Sequence, residues 1–136
     1  MRAPDRVVIE RTGFRAMIEH CLKSAPREAC GILAGRAERV ERIIPVANIA
    51  EDPERRYWMD EASQFEAFKA MRSDGCELVG IFHSHPATEA YPSATDLELA
   101  FYPEAAYVIV SLKDGAVARA FRIAQGEVAE IELVVE

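Results

Sequence analysis

Residues 77–82, Glu-Leu-Val-Gly-Ile-Phe, form a short apolar run that leads directly into His83, Ser84, His85 and Pro86. An apolar run of this length, stopped by proline, reads as a buried strand. Along a strand, residues i and i+2 point to the same face. His83 and His85 are therefore expected side by side at the strand end, where Pro86 has no N–H to continue a ladder. Two imidazoles fixed on one face, at the point where the chain must turn, constrain whatever packs around them.

After the loop of residues 87–92, Ser93 stands where a helix N-cap belongs and Asp96 falls at N3. Ser-x-x-Asp before an apolar run is also a plain capping box, and a capping Ser93 is compatible with an Asp96 held in a fixed direction. His83, His85 and Asp96 together make three protein ligands, the usual complement of a catalytic zinc site that keeps its fourth position for water. The one other histidine, His20, falls on a predicted first helix and reads as a surface or boundary residue. Hydrolysis at such a centre also needs a proton carrier, commonly a glutamate that does not bind the metal. Glu77 and Glu89 are near in sequence, and Glu28 could lie on an adjacent strand. The residues alone leave that choice open.

The rest of the chain supplies short elements of both kinds. Residues 7–9 read as a strand. Thr12 can cap a helix whose apolar face is Phe14, Met17, Ile18, Cys21 and Leu22, ended at Pro26. Residues 28–35 and 40–44 read as an antiparallel pair. The polar segment 48–56 reads as a loop or flap and 56–59 as a short strand. Asp60 starts a helix with Ala62, Phe65, Phe68 and Met71 inward, ending near Gly75. The Ser93 helix is expected to continue through Phe101 to Pro103. Residues 106–112, 117–123 and 128–135 read as three closing strands, the first two joined by an Asp-Gly turn. Interleaving without a strict βαβ rhythm predicts an α+β fold, a mixed β-sheet flanked by helices in one domain spanning residues 1–136.

A chain of 136 residues can bury an adequate core. A net charge of −7 argues against a nucleic-acid footprint, which needs a basic face. No apolar run approaches the ~18 residues of a membrane span. The N-terminus lacks a signal-peptide core, so a cytoplasmic location is expected. Cys21, Cys30 and Cys76 form no CxxC pair. Reduced, buried thiols are expected, although a Cys30–Cys76 bridge cannot be decided from sequence.

Glu28, then His83-Ser84-His85-Pro86, seven residues, and Ser93-x-x-Asp96 resembles the signature of the JAMM (MPN-plus) metalloprotease family, and the likeness extends over essentially the whole chain. The resemblance implies an MPN fold, a cytidine-deaminase-like sandwich. It implies one Zn2+ held by His83, His85 and Asp96, with Glu28 as the general acid/base and Ser93 as a hydrogen-bond donor to the oxyanion. It tells against Glu77 and Glu89, and leaves Ser84 structural. Family enzymes cut peptide or isopeptide bonds after the C-terminal Gly-Gly of a ubiquitin-like or sulfur-carrier protein. An extended tail is expected to add to an exposed sheet edge, with segment 48–56 as a flap over it. The alternatives are a non-catalytic MPN scaffold, which typically lacks a ligand, and a nucleobase deaminase, whose His-x-Glu and Pro-Cys-x-x-Cys signature is absent.

Overall fold

The protein, described here from a computed structural model over residues 3–136, has the order β1 (Arg6–Ile9), α1 (Arg11–Ser24), β2 (Cys30–Arg36), β3 (Arg39–Val46), α2 (Glu61–Ser73), β4 (Glu77–His85), α3 (Ala94–Glu98), β5 (Ala106–Ser111), β6 (Val117–Ala124) and β7 (Glu127–Val135). The class is α+β with a mixed sheet and three helices, as expected. Strands lie in the order β1-β3-β2-β4-β5-β6-β7, and β1 closes the sheet by pairing parallel to both β3 and β7. Among the described residues no helix is long and apolar enough to cross a membrane.

The central strands are buried on both faces. Leu33, Phe82 and Val108 turn toward Met17 and Cys21 of α1, while their neighbours Ile32, Ile81 and Ile109 turn toward Ala67 and Met71 of α2. This explains the near-continuous apolar runs of β2, β4 and β5, since neither face of these strands meets water. α2 is capped as predicted: Asp60 accepts from the Ser63 N–H at 2.9 Å.

Several local expectations give way to tertiary packing. α1 begins at Arg11 after Glu10, with Thr12 inside its first turn and not at the cap. Leu22 and Phe65 stay 55% and 61% exposed, so the buried stripes are narrower than periodicity alone suggests. Residues 56–59 make only an isolated bridge, Asn48 to Met59. α3 ends at Glu98, short of the expected Pro103, and Leu99, Phe101 and Tyr102 beyond it line a cavity. The exposed sheet edge narrows to one place. β1 joins β3 only at Arg39 and Val40, so residues 41–46 of β3 are paired to β2 alone. Cys30 lies beside His83 while Cys76 precedes Glu77, which pairs with Gly35 at the far end of β2. The length of the strand separates the two thiols, and all three cysteines are free.

Gly31 holds β2 close to its neighbours. A Cβ there would lie 2.3 Å from the Phe82 ring and 2.6 Å from the Ile44 carbonyl oxygen. Gly31→Ala is expected to destabilise the fold by about 1–3 kcal/mol through overpacking. Urea unfolding should show a lower midpoint at unchanged m-value.

Candidate metal centre and active site

β4 ends in His83 and His85, both buried, and their shared parity turns both rings to one side. Asp96 comes from the first turn of α3. Ser93 caps that helix: its Oγ accepts from the Asp96 N–H at 3.1 Å, and its own N–H donates to Asp96 Oδ2 at 2.9 Å. The reciprocal box aims the carboxylate at the strand end. His83 Nε2, His85 Nε2 and Asp96 Oδ2 converge with separations of 3.2, 3.0 and 3.2 Å.

Three acceptor-bearing atoms packed so closely repel unless positive charge sits among them. Tetrahedral ligands at zinc's ~2.0 Å bond length stand ~3.3 Å apart, so the triangle has the size of one face of such a site. His85 Nδ1 donates to the Glu89 carbonyl oxygen, 2.7 Å away, which leaves the lone pair on Nε2 for a metal. In the neutral-pH state Asp96 is ionised. Burial opposes the charge, but His83 and His85 hold its pKa well below the usual carboxylate range. Burial likewise opposes the His85 imidazolium, yet hydrogen bonds to Asp96 and the Glu89 carbonyl raise its pKa overall. The donor set and its geometry fit a divalent ion.

Glu28 reaches this centre through sheet register. β2 and β4 run antiparallel with Cys30 opposite His83. One step further, Ser84 bonds Ala29 twice: the Ala29 N–H donates to Ser84 Oγ at 2.8 Å, and the Ser84 N–H donates to the Ala29 carbonyl at 3.0 Å. Glu28 therefore falls opposite His85 and on the same face. It is 5% exposed, and its Oε1 has no hydrogen-bond partner. Burial pushes its pKa up to about 8; His85 and Arg56 pull it down, Asp96 and Asp52 push it further up. A nearby divalent cation would oppose that rise.

The other sequence candidates lie elsewhere. Glu77 is at the opposite end of β4, and the exposed Glu89 meets His85 only through its carbonyl. His20 packs edge-on against Phe82, on the other face of the strand from His83 and His85. Cys30 faces the site, but burial pushes its thiol up to about 12.

Tyr57 was not visible in the sequence. Its ring stacks on His83 with centroids 4.6 Å apart, and burial lifts its phenol far above the usual range, so it stays neutral. No spacing rule connects residue 57 with residue 83. Beyond Tyr57, Trp58, Met59, Ile81, Leu99, Phe101 and others enclose a mainly apolar cavity of about 310 Å3.

Residues 10–124 match the family of prokaryotic homologues of the JAB domain. A protein of Mycobacterium tuberculosis (strain ATCC 25618 / H37Rv) named CysO-cysteine peptidase is 42% identical over 128 residues, 91% of this chain and 87% of its own length. One of Thermus thermophilus, named probable TtuB-protein conjugate cleaving protease, is 40% identical over 116 residues, 85% of this chain and 74% of its own. A protein of Desulfitobacterium hafniense with a solution structure superposes with a TM-score of 0.87 at 38% identity, covering 96% of this chain and 92% of that one.

The buried carboxyl of Glu28 makes stability depend on pH in the metal-free protein. Its folded pKa near 8 exceeds the ordinary 4.5, so the folded state holds its proton where the unfolded state has lost it. Stability is full below 4.5 and is lost as pH rises toward 8. At about 1.4 kcal/mol per unit, Glu28→Gln should stabilise the chelator-treated protein by about 2–4 kcal/mol at pH 8.5 and leave it nearly unchanged at pH 4.5. Denaturant titrations at the two pH values check this, and equal gains at both would contradict a dry site for Glu28.

Proposed function

The chain belongs to the family of prokaryotic JAB-domain homologues and is a hydrolytic peptidase or isopeptidase, and from that premise we propose that it is a zinc-dependent enzyme cutting the bond that follows the C-terminal Gly-Gly of a ubiquitin-like or sulfur-carrier protein. Residues 1–136 act as one peptidase domain in this reading. The observation that carries it is the buried, unpartnered Oε1 of Glu28, on a residue that the β2–β4 register sets opposite His85, whose Nε2 converges with His83 Nε2 and Asp96 Oδ2. A scaffold has no use for a buried, unpaired carboxyl. A water-splitting enzyme needs one there.

His83, His85 and Asp96 would hold the zinc, which supplies Lewis acidity to the scissile carbonyl and lowers the pKa of a water. Glu28 takes the proton of the attacking water at Oε1 as the water oxygen bonds to the carbonyl carbon. It then delivers that proton to the leaving amine nitrogen as the C–N bond breaks. The Ser93 hydroxyl is exposed, and its capping bond uses only an oxygen lone pair, so its hydrogen is free to donate to the oxyanion. Glycines before the scissile bond let the substrate backbone pass close to the buried centre. An extended tail lies across the site against the apolar cavity.

Purified protein should carry about one zinc per chain, as in catalytic zinc sites generally. Glu28→Gln should keep that zinc and lose at least ~10²–10⁴-fold in kcat on a Gly-Gly-terminated carrier with one added residue. Normal cleavage by this variant would sink the mechanism. Ser93→Ala should lower kcat by about 10–10³-fold with KM little changed, measured by steady-state mass spectrometry of the product.

A further inference from the structure

Asn48 follows β3 and opens the connection to α2, and its side chain is satisfied at both ends. Nδ2 donates to the Glu28 carbonyl at 2.9 Å and the Arg56 carbonyl at 3.1 Å, with the Pro53 carbonyl at 3.4 Å. Oδ1 accepts from the Ala50 and Trp58 N–H groups, each at 3.0 Å. Carbonyls on one side and amides on the other fix the orientation of the amide. Around it, the Ile49 N–H donates to the Trp58 carbonyl at 2.8 Å and the Asp60 N–H to that of Ala47 at 2.9 Å.

The connection of residues 48–58 is thus cross-braced, and two of its bonds end on Glu28. The Glu28 carbonyl receives the Asn48 amide, and the Glu28 N–H donates to the Pro53 carbonyl at 2.7 Å. Glu28 needs such support because β2 begins only at Cys30. Oε1 makes no hydrogen bond, so its direction is inherited from packing and from the backbone that carries it. The bond to the Trp58 N–H also holds the Tyr57–Trp58 peptide, which places one ring on His83 and the other on the wall of the cavity.

We propose that Asn48 is a positioning residue: through one amide it fixes the Glu28 carboxyl and the Tyr57 ring relative to the His83-His85-Asp96 group before substrate arrives. The segment is a brace and not a moving flap. This inference rests on the reading of Glu28 as the proton carrier. Its size follows from geometry, since a displacement of ~1 Å can cost ~10²-fold in rate.

Asn48→Asp is the sharp test, because it keeps the size and both accepted bonds while setting an oxygen against three carbonyls. On a ubiquitin-like carrier extended one residue beyond Gly-Gly, kcat should fall about 10–100-fold with KM within about threefold and zinc content unchanged. Trp58 is the chain's one tryptophan. In zinc-free Asn48→Asp or Asn48→Ala, acrylamide should quench its fluorescence more readily than in the wild type. Wild-type kcat, or a loss matching only lost zinc or lost folded protein, overturns the proposal. If both variants fail to fold, hydrogen exchange in the wild type decides: the Ala50 and Trp58 amides should be protected, and free-peptide rates overturn the brace. An inactive Glu28→Gln beside a fully active Asn48→Asp would reject this inference alone, whereas an active Glu28→Gln rejects the mechanism beneath it.

Discussion

Between β2 and β4 the ladder pairs Cys30 with His83, and Ser84 carries that register one step past the start of β2 through its two bonds to Ala29. Everything at the site depends on this alignment. Strand faces alternate, so a slip of one residue would turn Glu28 to the α1 side and set the smaller Ala29 before the histidines. Ser84 points away from His83 and His85, yet its hydroxyl fixes where the glutamate arrives. A serine between two histidines thus serves the site from the opposite face of the strand.

The electrostatics of the pocket follow from what that alignment buries. Two carboxyl groups near enough to influence each other, Glu28 and Asp96, are buried in a protein of net charge −7. Asp96 is compensated by two imidazoles and the Ser93 N–H. Glu28 has no such partner at Oε1, and desolvation holds a proton on it. Ionising Glu28 there without a partner would cost several kcal/mol, which is why burial favours its neutral form. A carboxyl whose two protonation states are close in energy near neutral pH suits the proton-carrying role proposed for it.

β1 contributes only four residues, yet it joins β7 along its whole length and β3 at Arg39 and Val40. Next to the His83-His85-Asp96 group, past the Tyr57 ring on His83, lies the cavity walled by Trp58 and Phe101, whose rings meet edge to face at 6.2 Å. Leu99, Phe101 and Tyr102, just past the end of the five-residue α3, line it.

Local chemistry in the sequence was enough for the strand that presents His83 and His85, the Ser93 cap and Asp96 in its first turn, the helix begun by Asp60, and the α+β class. Each of these depends on contacts within a few residues, where periodicity and capping rules operate. The motif resemblance named the family and singled out Glu28, a choice that the neighbouring residues left open. What only the tertiary structure decided were relations across long separations: Glu28 opposite His85, Tyr57 on His83, Asn48 binding both ends of one loop, and β1 joining β3 to β7. These arise from register, closure and the satisfaction of buried polar groups, which depend on the whole chain at once and leave no periodic trace along it.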